Sequence, residues 1–207
     1  NYPVTLILLE KSKQTLDDYM LNSELSQDEW SSIFIQIIFQ LIAYQKMFDF
    51  THNDLHTNNI MYVETNKEFV NYTFEEKTYK VPTYGKIWKI IDFGRAIFKY
   101  KKHIFCSDSF HPKGDAAGQY NCQPFFNKNK PELLPNFSFD LSRLGCSLFD
   151  YFFEDIDDLN KPVLTGVEKL VSKWCLDDEN RNILYKKNGK ERYPEFKLYK
   201  MIARTVH

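Results

Sequence analysis

From position 26 the apolar residues fall into a helical rhythm: Trp30, Ile33, Phe34, Ile37, Ile38, Leu41 and Ile42 recur every three or four positions, which lines one face of a helix. Ser26-Gln27-Asp28-Glu29 directly before them has the S-x-x-E form of a capping box, so the pattern predicts a long, largely buried helix running to about Phe48. Upstream, Val4-Thr5-Leu6-Ile7-Leu8-Leu9 reads as a strand ended by Glu10-Lys11-Ser12, and Thr15 to Tyr19 begins a short helix. Downstream, Ile60-Met61-Tyr62-Val63 and Ile87 to Ile91 read as strands. Between them Glu64 to Lys86 is polar and aromatic, with Pro82 and Gly85 as punctuation, and predicts an extended hairpin or insertion. Past Gly94 the chain reads as irregular through Pro112, Gly114, Gly118, Pro124, Pro131 and Pro135. A second buried helix is predicted from near Asp140, its stripe made by Leu141, Leu144, Leu148, Phe149 and Phe152 with Gly145 inside it. Leu164 to Val206 reads as two more helices, divided by Asn188-Gly189 and Pro194. No internal repeat is visible.

Two strings carry chemistry. His52-Asn53-Asp54-Leu55-His56-Thr57-Asn58-Asn59 fits H-x-D-L-x-x-x-x-N, and Ile90-Ile91-Asp92-Phe93-Gly94 places D-F-G after an apolar strand. Phosphoryl transfer explains why these residue types occur together. Mg2+ prefers hard oxygen ligands, which a carboxylate (Asp92) and an amide oxygen (Asn59) supply from two loops. Asp54 is then free to orient the attacking hydroxyl or accept its proton. Taken singly, each is an ordinary loop residue.

Composition narrows the setting. A chain of 207 residues, 43% hydrophobic and 27% charged, can bury a core and reads as one domain. Net charge is −1 with no basic tail, so no footprint for nucleic acid is expected. Cys106, Cys122, Cys146 and Cys175 form no C-x-x-C pair, which suits a reducing compartment. No run is long enough to span a bilayer and no charged-then-apolar leader precedes Tyr2, so the expectation is an intracellular protein, neither secreted nor membrane-bound. There is no initiating Met, and the strand-like opening reads as the start of a fragment. His103, Cys106, His111 and Cys122 have zinc-ligand chemistry but match no standard zinc spacing. Lys99, Lys101 and Lys102 read as a solvated face, and the aromatic density at Phe149 to Phe153 as core.

With these residues in place, the chain resembles the C-terminal lobe of the protein kinase superfamily, from the hinge to near the last helix. More narrowly, His56, the extended stretch before Asp92 and the string from Ser107-Asp108-Ser109-Phe110 to Gly114-Asp115-Ala116-Ala117-Gly118-Gln119-Tyr120-Asn121 are similar to serine/threonine kinases of nucleocytoplasmic large DNA viruses. The resemblance implies an α+β, mainly α-helical fold, a kinase-like C-terminal lobe with a small β-hairpin region carrying the catalytic and D-F-G loops. Its parts would be strand and hinge at 1–14, the long helix at 26–50, the catalytic and metal loops at 52–94 with an insertion at 64–86, an activation-segment-like region at 95–139, and helices at 140–207. Asp54 would be the catalytic Asp, Asn59 and Asp92 the Mg2+ ligands, and His56 a catalytic-loop neighbour of the γ-phosphate. Backbone groups of Glu10 and Ser12 would bind the adenine edge of ATP, with Leu9 bordering the adenine pocket. His52 would pack by Phe93, and Asp140 would accept backbone N–H groups of the catalytic loop; a plain helix N-cap is the other reading of Asp140.

Three departures qualify the resemblance. Asn53 stands where many protein kinases carry an Arg that pairs with a phosphorylated activation loop, so loop phosphorylation should not be required. His56 replaces a Lys and carries less charge. No glycine-rich loop or V-A-I-K Lys precedes the hinge-like segment, so an upstream N-terminal lobe or a partner chain is expected to complete the site, and the chain alone should be nearly inactive. The implied function is ATP-dependent transfer to Ser/Thr hydroxyls of a protein substrate, in host cytoplasm or virion. The alternatives are a non-catalytic kinase-fold scaffold among virion proteins and a small-molecule kinase, the latter favoured by His56 but disfavoured by the protein-kinase-like D-F-G and by Asp140 to Gly145.

Overall fold

A computed structural model describes residues 8–207. Helix α1 (Leu16–Asn22) starts at Thr15, whose hydroxyl accepts the Asp18 N–H at 3.1 Å. Helix α2 (Gln27–Phe48) begins with the predicted box: Ser26 Oγ accepts the Glu29 N–H at 3.2 Å, and the Glu29 carboxylate accepts the Ser26 N–H at 3.0 Å. Strand β1 (Ile60–Glu64) pairs antiparallel with β4 (Lys86–Ile90), in the register Ile60 to Ile90 and Glu64 to Lys86. Between them β2 (Phe69–Phe74) and β3 (Lys77–Pro82) form the expected hairpin, and β5 (Ile97–Tyr100) pairs with β6 (His103–Cys106). Helices α3 (Ser138–Phe152), α4 (Gly166–Trp174) and α5 (Lys197–Thr205) follow. Among the described residues the fold is thus mixed α+β, with five α-helices and three two-stranded antiparallel sheets. None of these helices is long and apolar enough to cross a membrane.

One core joins these elements. Trp30, Phe34 and Ile37 of α2, Leu16 of α1, Ile60 and Trp88 of the β1–β4 pair, Leu144 and Phe149 of α3, Val171 of α4 and Ile202 of α5 are all buried within it. Two polar side chains on α2 fix the sheet to the helix. Gln36, fully buried, accepts the Trp88 N–H at 3.0 Å, while Gln40 donates to the Trp88 carbonyl at 2.9 Å and accepts the Ile90 N–H at 3.2 Å. The two amides thereby serve the open edge of β4, whose unpaired peptide groups would otherwise be buried without partners. Gly145 lets α3 and α4 approach closely, since a Cβ there would lie 2.6 Å from Trp174 Cβ.

The structure departs from the sequence expectations at two places. Val4 to Ile7 of the expected opening strand lie outside the described residues, and Leu8 and Leu9 are exposed and belong to no strand. The stretch past Gly94 is not irregular at its start, because β5 and β6 form a tight hairpin there. Its turn is Lys101-Lys102 at φ 46° and 68°, a left-handed pair that Gly or Asn usually fills, so the sequence offered no turn signature. Lys99 lies on the expected solvated face, where it meets the exposed Asp49 at 2.7 Å. All four cysteines are free thiols.

Candidate active site

The 52–59 loop is anchored from below by α3. Both Asp140 carboxylate oxygens accept backbone N–H groups, one from His52 and one from Asn53, each at 2.8 Å. Asp140 is the third residue of α3 and fully buried, so it caps the loop and not its own helix. Burial raises its pKa, opposed by His52 and by the two N–H groups that favour the carboxylate. Asn53 adopts φ 65°, tolerated by Asn, and is fully buried. Its amide donates to Thr51 Oγ1 and to the Arg95 carbonyl, both at 3.0 Å, and its oxygen accepts the Tyr120 hydroxyl at 2.7 Å. His52 Nε2 lies 2.8 Å from the Ile91 carbonyl, and Nδ1 accepts the Asp54 N–H at 3.3 Å. Those partners place a ring proton on Nε2.

The same ring links this loop to the second one. His52 packs on Phe93 with ring centroids 5.6 Å apart, and Tyr44 and Phe50 meet Phe93 edge-on. That wedge fixes the residue before it: Asp92 sits at φ 58°, exposed, with one carboxylate oxygen accepting the Gly94 N–H at 3.2 Å. Asn59 immediately precedes β1 and its carbonyl accepts the Ile91 N–H at 3.0 Å, so β1–β4 pairing carries Asn59 and Asp92 to the same end of the sheet. Asn59 donates through Nδ2 to the Asp54 carbonyl at 2.9 Å and to His56 Nε2 at 3.2 Å. Its amide oxygen is left without a hydrogen-bond partner among the described residues. One free amide oxygen and one exposed carboxylate are the hard donors that Mg2+ takes, so these residues fit the ion.

Around the Asp54 carboxylate the structure adds residues that the motifs did not single out. Tyr199 of α5 donates its hydroxyl to Asp54 Oδ1 at 2.7 Å, and Arg95 lies 3.4 Å from Oδ2 while meeting Asp115 at 2.7 Å. Arg143 of α3 stacks over the Tyr199 ring at 4.9 Å. Burial, then the Arg143 charge, hold the His56 pKa below its ordinary 6.5, against a weaker upward pull from Asp54. Because Nε2 faces the Asn59 amide, a neutral His56 carries its proton on Nδ1.

No family model matches the chain. Over 168 residues it is 29% identical to a provisionally named serine/threonine-protein kinase of Acanthamoeba polyphaga mimivirus, an alignment covering 72% of this chain and 41% of that protein. Over 88 residues it is 31% identical to a serine/threonine-protein kinase haspin homolog of Arabidopsis thaliana, covering 42% of this chain and 14% of that one. The chain is similar to serine/threonine-protein kinases. It spans less than half the length of either relative.

The remaining expected site residues lie along β1 and β4. Lys13 donates to the Tyr62 carbonyl at 2.8 Å, which lays the 10–14 segment beside β1. The Glu10 side chain pairs with Lys89 of β4. Leu9 is 84% exposed, so no adenine pocket is closed over it by the described residues. The backbone groups of Glu10 and Ser12 make no backbone hydrogen bond among the described residues and remain available to a ligand. Tyr199 escaped the sequence reading because it lies far along the chain from Asp54 and belongs to no motif; Tyr120 and Arg143 sit in or beside strings the sequence marked, but nothing there gave them a role near Asp54. Arg95 follows D-F-G directly, and that adjacency was the one signal available.

Proposed function

We propose that this chain carries the phosphoryl-transfer centre of a serine/threonine kinase, acting with ATP on hydroxyls of a protein substrate. What supports the reading most is the β1–β4 register, which brings the Asn59 amide oxygen and the Asp92 carboxylate to one sheet end, with Asp54 tied to Asn59 through Nδ2. In this reading Asp92 and Asn59 hold Mg2+, which when bound neutralises charge on the nucleotide phosphates. Asp54 orients the attacking hydroxyl and takes its proton. Tyr199 and Arg95 position the Asp54 carboxylate, and the neutral His56 offers a hydrogen bond from Nδ1. The free backbone edge at Glu10 and Ser12 receives adenine, beside Leu9. A further lobe or a partner chain covers the phosphates.

The test is transfer of the γ-phosphate by the full-length gene product and by its Asp54→Asn and Asp92→Asn variants. Each substitution removes a charge needed at the nucleophile or the metal and little packing. Transfer is expected to fall on the order of 10²-fold or more, with unchanged thermal unfolding. Full turnover in both variants refutes the assignment.

A further inference from the structure

Beside the Asp54 site lies a cleft of about 540 Å3 between α5 and the 110–133 segment. Phe110, Tyr120 and Phe125 give it an apolar wall, and its charged lining is Lys130, Lys200 and Arg204 against the single carboxylate of Glu132. None of the three cations is ion-paired among the described residues. Arg204 is held in place by hydrogen bonds to the Gly118 carbonyl at 2.8 Å and the Lys200 carbonyl at 2.5 Å. Gly118 sits at φ 78°, a left-handed backbone that glycine adopts without strain.

The cleft shares walls with the candidate active site. Tyr120 lines it and donates to Asn53, the neighbour of Asp54; Lys200 lines it and follows Tyr199, whose hydroxyl bonds Asp54. We propose that this cleft binds an acidic side chain of the peptide substrate, a carboxylate or a phosphomonoester, a few residues from the hydroxyl presented to Asp54. The proposal rests on the kinase reading and names the substrate class for that site. Unpaired cations gain charge-assisted hydrogen bonds from such a group, and the aromatic wall accommodates the peptide stem. An extended peptide advances about 3.3 Å per residue, so scanning the acidic position along the peptide reads the separation of the two places.

The test is fluorescence anisotropy on the full chain with labelled serine peptides identical except for Glu, phosphoserine or Gln at one flanking position, scanned along the peptide. The acidic peptides are expected to bind about tenfold or more tighter than the Gln peptide, with an advantage that shrinks as salt is raised. Lys200→Glu and Lys130→Glu are each expected to erase that advantage, whereas Lys169→Glu, an exposed charge on α4, keeps it. A preference confined to phosphoserine assigns the phosphomonoester, and one shared with Glu assigns any anionic side chain. Equal binding of all three peptides, or an acid preference that survives both substitutions in the cleft, overturns the proposal. Acid-selective binding by the chain with no phosphate transfer by the full-length gene product leaves the cleft standing and removes the kinase reading; transfer by that product without acid selectivity does the reverse.

Discussion

His56 departs most from the chemistry the motifs imply, and its surroundings say how it behaves. Half-buried near the Arg143 charge, and accepting the Asn59 amide, the ring is held neutral, since protonation would cost both solvation and that hydrogen bond. Its folded pKa lies below the unfolded 6.5, so the stability owed to the neutral ring is present above pH 6.5 and is lost as pH falls through that value toward the folded pKa. An NMR titration is expected to place the His56 midpoint below 6.5, and Arg143→Met to move it upward. A midpoint that Arg143→Met leaves unchanged would show that the guanidinium does not act on the ring. Asp54, Asn59 and Asp92 were legible because short motifs mark them. Tyr199, Arg143 and Tyr120 were not, because only the fold brings α5, α3 and the 110–133 segment to the loop.

At the scale of elements, the sequence carried what local signals encode. The Ser26 capping box and the apolar stripe behind it set α2 to its observed ends, and the 64–86 stretch became a hairpin. The pairing of Gln36 and Gln40 with β4 left no trace in hydropathy, since a buried glutamine looks like an interruption of the stripe. Gln36→Leu is expected to destabilise the chain by about 1–3 kcal/mol in chemical denaturation, because the Trp88 N–H would stay buried without a partner. An unchanged midpoint would mean that β4 does not depend on the helix. Asn53 bears on the 95–139 region in a similar way. A neutral hydrogen bond from Tyr120 already ties that region to the loop, where an Arg would need a phosphate to do so. Phosphatase treatment of the full-length product should therefore leave its activity unchanged; a large drop on removing a phosphate between Gly94 and Pro135 would contradict this.

For the whole molecule, one core holds α1 to α5 and the β1–β4 pair; of the candidate metal ligands at its edge, Asp92 is exposed, whereas Asn59 is buried against the expectation that both would face solvent. The exposed Asp92 carboxylate would hold a metal-bound nucleotide weakly, because water competes for it and screens its charge. The chain by itself should bind Mg-ATP with an affinity on the order of millimolar. The most direct measurement of the central claim uses Mn2+ in place of Mg2+ with saturating nucleotide on this chain, reading paramagnetic broadening residue by residue in NMR. The account predicts that the Asn59 side-chain amide and the backbone amides of Asp92 and Gly94 broaden first, and that Asp92→Asn removes the effect. Broadening centred elsewhere, or undiminished in Asp92→Asn, would contradict it.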